Sequence, residues 1–381
     1  MSNLHPPLKK TALAFRGYNV TNLGRTPELL AHRAYGPIVV AHLREASDIF
    51  RATLKRPLDL VARVREGRET RGLHDYAEDI ALIVAVEVAQ LRILEEFFGM
   101  AVSQARFTFG HSLGECGALI GTGVYRFADF LPVPLAMADD CAELAHDVSL
   151  AILFSRGPVL DFDTVRRLCL EISQRGEGVI DISTYLSPNS LLMIGQNGTL
   201  HDFETRLHET FGKQVGMRRH QHRFPPLHTP IMWQRNIPNR TALLLQTTPG
   251  GLTAPSAPIL SMATGQASYD GLNCRELIHQ WVDHPQRLWD IVYKVLAEDI
   301  ERVIHVGPAP NLLPATFRRL SSNIASQMQG RGLRSIGKRT ISKLARRPWL
   351  TRLLPSSAVL FRALHVEYVI LEDWLLAQKV P

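Results

Sequence analysis

The chain alternates between short, nearly continuous apolar runs and longer stretches with helical apolar spacing. Thr11–Phe15 (TALAF) predicts a short buried strand, running into the turn signal Arg16-Gly17-Tyr18-Asn19. Thr26-Pro27-Glu28 reads as a helix start: a cap, a proline at the first helical position and an acid in the first turn. Ile38–Phe50 and Ile80–Phe98 predict helices. The stretch from Ile80 to Met100 is the most apolar in the chain, but Glu87, Arg92, Glu95 and Glu96 interrupt it, so a core helix fits and a membrane span does not. Ala105–Phe109 predicts a strand that ends at Gly110-His111-Ser112-Leu113-Gly114-Glu115, followed by small and apolar residues to Val124. The pattern there is strand, sharp turn, helix.

The next segment divides into a βαββαβ order: strands at Val148–Phe154, Gly178–Thr184, Ser190–Gly195 and Val215–Phe224, with helices at Asp163–Gln174 and Leu200–Phe211. That order resembles a split βαβ, ferredoxin-like unit. Pro258–Ala263 and Arg302–Val306 predict further strands of the main sheet. The expectation is an α/β fold: an α/β-hydrolase-like large subdomain with a parallel sheet (1–146 and 226–323), an inserted ferredoxin-like small subdomain (147–225), and a basic C-terminal extension (324–381) with an apolar end.

Composition changes this picture little. An apolar fraction of 45% and a charged fraction of 21% are ordinary for a globular chain and exclude disorder as the main state. Four dispersed cysteines without a CxxC pair argue against a disulfide framework or a zinc ribbon, and for a reducing, cytoplasmic setting. The N-terminus has two lysines but no apolar stretch behind them, so a secretory signal is not expected. Charge does change the picture. Between Arg302 and Val366 there are twelve Lys and Arg and no Asp or Glu, so the rest of the chain is net −5 although the total is +7. The basic character belongs to the C-terminal part, and an acidic partner is expected there.

Gly110-His111-Ser112-Leu113-Gly114 is a GxSxG elbow. A serine on a tight strand-to-helix turn needs glycines where side chains would collide, and the helix behind it aims free N–H groups and its dipole at the reacting oxygen. Ser112 is the candidate nucleophile, and the Leu113 backbone N–H a candidate oxyanion donor. Serine needs a base at neutral pH. Among fifteen histidines, His228 stands out in Phe224-Pro225-Pro226-Leu227-His228-Thr229-Pro230, where prolines stiffen the backbone around it. His220 and His222 alternate with polar residues and are expected to face solvent. Cys116, one turn after Ser112, reads as buried packing.

The phrase GHSLGE, with four others in order, resembles the malonyl-CoA:acyl-carrier-protein transacylases and the related acyltransferase domains of polyketide synthases, over roughly residues 10–321. Pro225-Pro226-Leu227-His228-Thr229-Pro230-Ile231-Met232 corresponds to a family phrase that carries the histidine. Gln280, before His284-Pro285-Gln286-Arg287-Leu288-Trp289, matches a family glutamine whose carbonyl orients that histidine. Leu186-Ser187-Pro188-Asn189 and Val306-Gly307-Pro308-Ala309 complete the set. The resemblance implies a ping-pong acyl transfer. Ser112 and His228 would take an acyl group from coenzyme A, the oxyanion would rest on the N–H groups of Leu113 and Tyr18, and the thiol of an acyl carrier protein would receive the acyl group.

Three positions depart from the family. FPGQG is here Phe15-Arg16-Gly17-Tyr18-Asn19. The family's arginine clamp for the malonyl carboxylate, about 25 residues after the serine and suited to it by its planar fork, falls on Met137 when read without gaps. Arg156 is the gapped alternative. Leu227 stands where phenylalanine is common before the histidine. Met137 and Leu227 therefore mark an acyl pocket open to an uncharged group. Acyl-CoA is expected as substrate, with no tightly bound cofactor, no metal and no nucleic-acid partner, and the chain is expected to be a monomer. The basic run Arg331–Arg352 is read as docking an acidic carrier protein, with an anionic membrane surface as the alternative and not the expected partner. A serine hydrolase of related fold shares the elbow, and a non-catalytic scaffold that has lost its clamp is a third reading.

Overall fold

The computed structural model describes residues 8–156, 159–298, 300–309, 312–328 and 359–380. In chain order its strands are β1 (Thr11–Phe15), β2 (Phe107–Gly110), β3 (Val148–Ser155), β4 (Ile180–Ser187), β5 (Ser190–Gln196), β6 (Val215–Arg219), β7 (Ile259–Ser261), β8 (Gln266–Ala267), β9 (Arg302–Val306) and β10 (Glu367–Ile370).

β1 is apolar throughout and every residue in it is buried, as a central strand covered on both faces requires. It pairs in parallel with β2 on one side and β9 on the other. The full order is β10-β9-β1-β2-β7-β8, parallel except for the short β8 edge. The Tyr76–Phe98 helix lies in the core, and its buried face packs against the helix that follows β2. No described helix is long and apolar enough to cross a membrane.

The second sheet has the order β4-β5-β3-β6, all antiparallel, and the Phe162–Ser173 and Thr199–Phe211 helices close its own apolar cluster. This is the ferredoxin-like arrangement that the βαββαβ order predicts. β6 stops at Arg219 rather than running to Phe224, because the chain turns polar and exposed there. His220 and His222 lie just beyond it, both exposed.

Two expectations need correction. Thr26 is not the helix cap: it is the first residue of the Thr26–Ala31 helix and is buried, with Arg25 before it. The second concerns the C-terminus, because residues 359–380 are not an extension. β10 adds an edge strand to the main sheet, in register Glu367↔Arg302 through Ile370↔His305. The following Leu371–Ala377 helix packs Trp374 against Phe98, with ring centroids 4.7 Å apart. Its Glu372 accepts the backbone N–H groups of Arg25 (3.0 Å) and Ala309 (2.9 Å). The apolar end is a piece of core separated from the rest by a basic run. That run, Arg331–Arg352, lies outside the described residues.

Candidate active site

The β1, β2 and β9 strands all end on one edge of the sheet, the edge where parallel α/β folds place their sites. Ser112 sits at the end of β2 with φ 53° and ψ −120°, a conformation an L-residue adopts only when the surroundings enforce it. The glycines explain how the chain reaches it. A Cβ on Gly110 would stand 2.0 Å from the Gly114 carbonyl carbon, and one on Gly114 would stand 2.3 Å from the Phe15 oxygen. Neither position has room for a side chain. Leu113 opens the Leu113–Gly121 helix, so its N–H is not spent on a carbonyl four residues back. Glu115, buried in the same turn, receives the Met262 N–H (3.1 Å) and the Tyr269 hydroxyl (2.7 Å), tying the helix to the segment after β7. Burial raises its carboxyl to about 7.

His228 Nε2 lies 2.8 Å from Ser112 Oγ. His228 also has a positive φ, 66°, and its N–H donates to Val282 O at 2.8 Å. Nδ1 is 2.7 Å from the Trp281 carbonyl. A carbonyl only accepts, so Nδ1 carries the proton, and Nε2 is bare and faces the serine hydroxyl. This is the tautomer a general base needs. Burial drives the imidazole down to about 3; His111 adds to the shift and the Trp281 carbonyl opposes it. His228 is therefore neutral at physiological pH.

The orienting carbonyl belongs to Trp281 and not to Gln280. Gln280 is on the outer side of the Cys274–Asp283 helix, with its amide donating to Glu276 at 3.3 Å. A backbone carbonyl has no side-chain signature, so the motif located the segment but missed the residue by one. Trp281 does two jobs, since its indole N–H also donates to the Ser112 carbonyl at 3.0 Å.

Gln286 was not identified from sequence as a site residue, yet it is fully buried and contacts both Ser112 and His228. Its Oε1 accepts the Ser112 N–H at 3.2 Å, which sets the amide's orientation and leaves Nε2 3.2 Å from His228 Nδ1. The small subdomain holds it in place. Gln286 N–H donates to Ser183 O and Tyr185 N–H donates to Gln286 O, both at 2.8 Å, at the irregular part of β4. The signal in the sequence was a buried-type position carrying an amide, directly after Pro285 in a phrase already singled out.

An apolar cavity opens onto Ser112, and Met137, Leu227 and Cys116 line it with Leu113 and Trp281. Met137 comes from the Pro132–Leu144 helix, which the sequence pattern did not reveal. Arg156 is elsewhere: it follows β3, its N–H donates to Gln214 O at 3.0 Å, and its guanidinium sits over the Phe154 ring. It does not line the cavity, so the gapped alternative for a clamp is set aside. Tyr18 lies in the loop after β1 with its ring edge-on to Tyr76, 4.8 Å between centroids. The preceding Gly17 presses on the elbow, because a Cβ there would stand 2.5 Å from His111 O.

No family model matches the chain. A malonyl CoA-acyl carrier protein transacylase of Haemophilus influenzae is 22% identical over 316 residues, covering 82% of this chain and 92% of that protein. Among solved structures, FabD of Acinetobacter baumannii superposes with a TM-score of 0.66 at 19% identity, over 82% of this chain and 91% of that one. A malonyl-transacylase solved in complex with a type II polyketide acyl carrier protein superposes with a TM-score of 0.66 at 20% identity, over 81% and 92%. The chain has their fold.

Proposed function

We propose that this divergent relative of the malonyl-CoA:acyl-carrier-protein transacylases is a Ser-His acyltransferase of the S-malonyltransferase type. It moves an acyl group from coenzyme A to the thiol of an acyl carrier protein. One observation carries the reading: the 2.8 Å contact of Ser112 Oγ with a His228 whose other nitrogen is fixed by a backbone carbonyl.

Ser112 Oγ attacks the thioester carbonyl carbon while its proton passes to His228 Nε2. The oxyanion that forms is held by the Leu113 N–H, with the Tyr18 N–H as second donor. Support for Tyr18 comes from the tight packing of Gly17 on the elbow. The tetrahedral centre collapses, the C–S bond breaks, and the leaving thiolate takes the proton from His228. Acyl-Ser112 remains. A carrier-protein thiol then gives its proton to His228 and attacks, and the same steps run in reverse. The imidazolium exists only between the two proton transfers. The Trp281 carbonyl stabilises it without a buried carboxylate, so no triad acid is needed.

The test is intact-mass measurement after mixing with acyl-CoAs, then with a carrier protein bearing phosphopantetheine. An acyl-enzyme that forms and passes its acyl group to the carrier supports the reading. Release of free acid identifies a hydrolase, and no acyl-enzyme a non-catalytic chain. Ser112→Ala abolishes the adduct, and His228→Ala slows it by about 10²–10⁴.

A further inference from the structure

Among the described residues sixteen line the cavity at Ser112, and none of these is Lys, Arg, Asp or Glu. Its walls are Phe130, Val133, Met137, Leu227, Ile237 and Ile278. The polar atoms among the other lining residues are hydroxyls and thiols of Ser112, Tyr76, Thr241, Cys116 and Cys141, together with the Trp281 indole N–H, which is already bound to Ser112 O.

Three described cations on neighbouring segments are committed elsewhere. Arg63 is buried against Asp79 at 2.5 Å and Glu78 at 3.3 Å. Arg240, next to the lining residue Thr241, pairs with Asp140 at 2.5 Å. The Arg16 guanidinium is enclosed by the carbonyls of Gly17, Pro308 and Thr21 and the side chain of Asn22. His228 is buried and His111 half-buried, and desolvation keeps both neutral. The charges felt near the lining residue Tyr76 come from the same Arg63–Asp79 group: Asp79 acts on its phenol, and Asp75, Asp79 and Arg63 act on the phenol of the adjacent Tyr18. A carboxylate placed here would lose its water and meet no lining cation among the described residues.

We propose that the acyl group carried on Ser112 is uncharged, an alkanoyl rather than a malonyl-type group, and that Met137 sets its length. This rests on the acyltransferase reading above. As folded, the cavity encloses about 30 Å³, room for a group the size of one water or methyl. The methyl of a two-carbon acyl group on Ser112 fits. Longer chains need Met137 to swing aside, which an unbranched thioether does readily.

Rapid-mixing intact-mass measurement with acetyl-, butyryl-, octanoyl- and malonyl-CoA tests the proposal on the unaltered chain. The expected result is loading by acetyl- or butyryl-CoA about tenfold or more faster than by malonyl-CoA, the ratio an unpartnered buried polar group imposes. Malonyl loading as fast as or faster than every uncharged donor overturns the proposal and leaves the acyltransferase reading standing. No adduct from any donor removes that reading and the proposal with it. Two variants add independent readouts. Met137→Ala moves the preferred chain length upward and leaves malonyl poor. Met137→Arg, provided it folds, raises malonyl loading relative to acetyl. An unchanged chain-length profile in Met137→Ala overturns the role of Met137.

Discussion

Ser112 and His228 meet at 2.8 Å across 116 residues of sequence, and both hold positive φ angles to do so. The adjacent amide, Gln286, makes a specific prediction at this scale. Its carbonyl end holds the nucleophile's backbone and its NH₂ end faces Nδ1, a donor facing a donor while Nδ1 carries a proton. That arrangement works against the imidazolium, in the same direction as burial. On the proposed acyl transfer the neutral imidazole is the base, so with its pKa near 3 the loading rate is expected to stay flat from pH 8 down to about 5. An ordinary histidine would lose half its base form at about 6.5. Gln286→Glu keeps an acceptor for the Ser112 N–H but puts a carboxylate beside Nδ1, so the acid limb of the pH–rate profile moves up toward neutrality. Gln286→Leu leaves the Ser112 N–H unpaired and slows loading by about tenfold or more, and by removing the opposing NH₂ it moves that limb up by less than Gln286→Glu does. A pH profile that is unchanged in Gln286→Glu removes Gln286 from the tuning of the base.

Elements set the stability of this arrangement, and β9 shows where it is vulnerable. His305 in β9 is buried beside Phe317, and neither ring nitrogen has a hydrogen-bond partner among the described residues. Burial, with Arg318 adding to it, lowers the imidazole to about 3. The unfolded chain protonates at about 6.5 and the folded chain does not. Stability attributable to this residue is therefore complete above pH 6.5 and falls below it by about 1.4 kcal/mol per pH unit. His305→Leu should raise Tm, and by more at pH 5 than at pH 8, in thermal melts across that range. An equal Tm gain at both pH values shows that the imidazole does not contribute to acid lability. The same element scale explains the elbow. Gly114→Ala drives a methyl into the Phe15 carbonyl and should cost folding yield as well as activity, unlike Ser112→Ala, which leaves the turn intact.

For the molecule as a whole, the C-terminal residues close the main sheet while the basic run before them supplies a charged segment. β10, the Arg25–Asp373 ion pair (2.9 Å) and the Tyr35 hydroxyl donating to Leu375 O (3.3 Å) tie the chain's end to its beginning. Truncation after Ser321 removes all of these and should lower Tm sharply, so the basic run is better tested in place. Replacing four of its arginines (Arg331, Arg334, Arg346, Arg347) by glutamine should weaken transfer to an acidic carrier protein and flatten its salt dependence, while loading from coenzyme A changes little. Unchanged transfer and salt response in that variant take the run out of carrier docking. Much of this architecture is legible along the chain. TALAF as a buried strand, the βαββαβ order and the glycine-flanked serine follow from local sterics and periodicity, which act over a few residues. Leu113 and the His228 segment follow from the same local logic. The identity of the orienting carbonyl does not, because every residue carries one and only the packing of the Cys274–Asp283 helix selects that of Trp281. Nor do the role of Gln286 or the docking of β10 beside β9, both of which depend on contacts between residues far apart in the chain. Periodicity shows that a side chain is buried; which partner it meets there is set by the long-range packing of the folded chain.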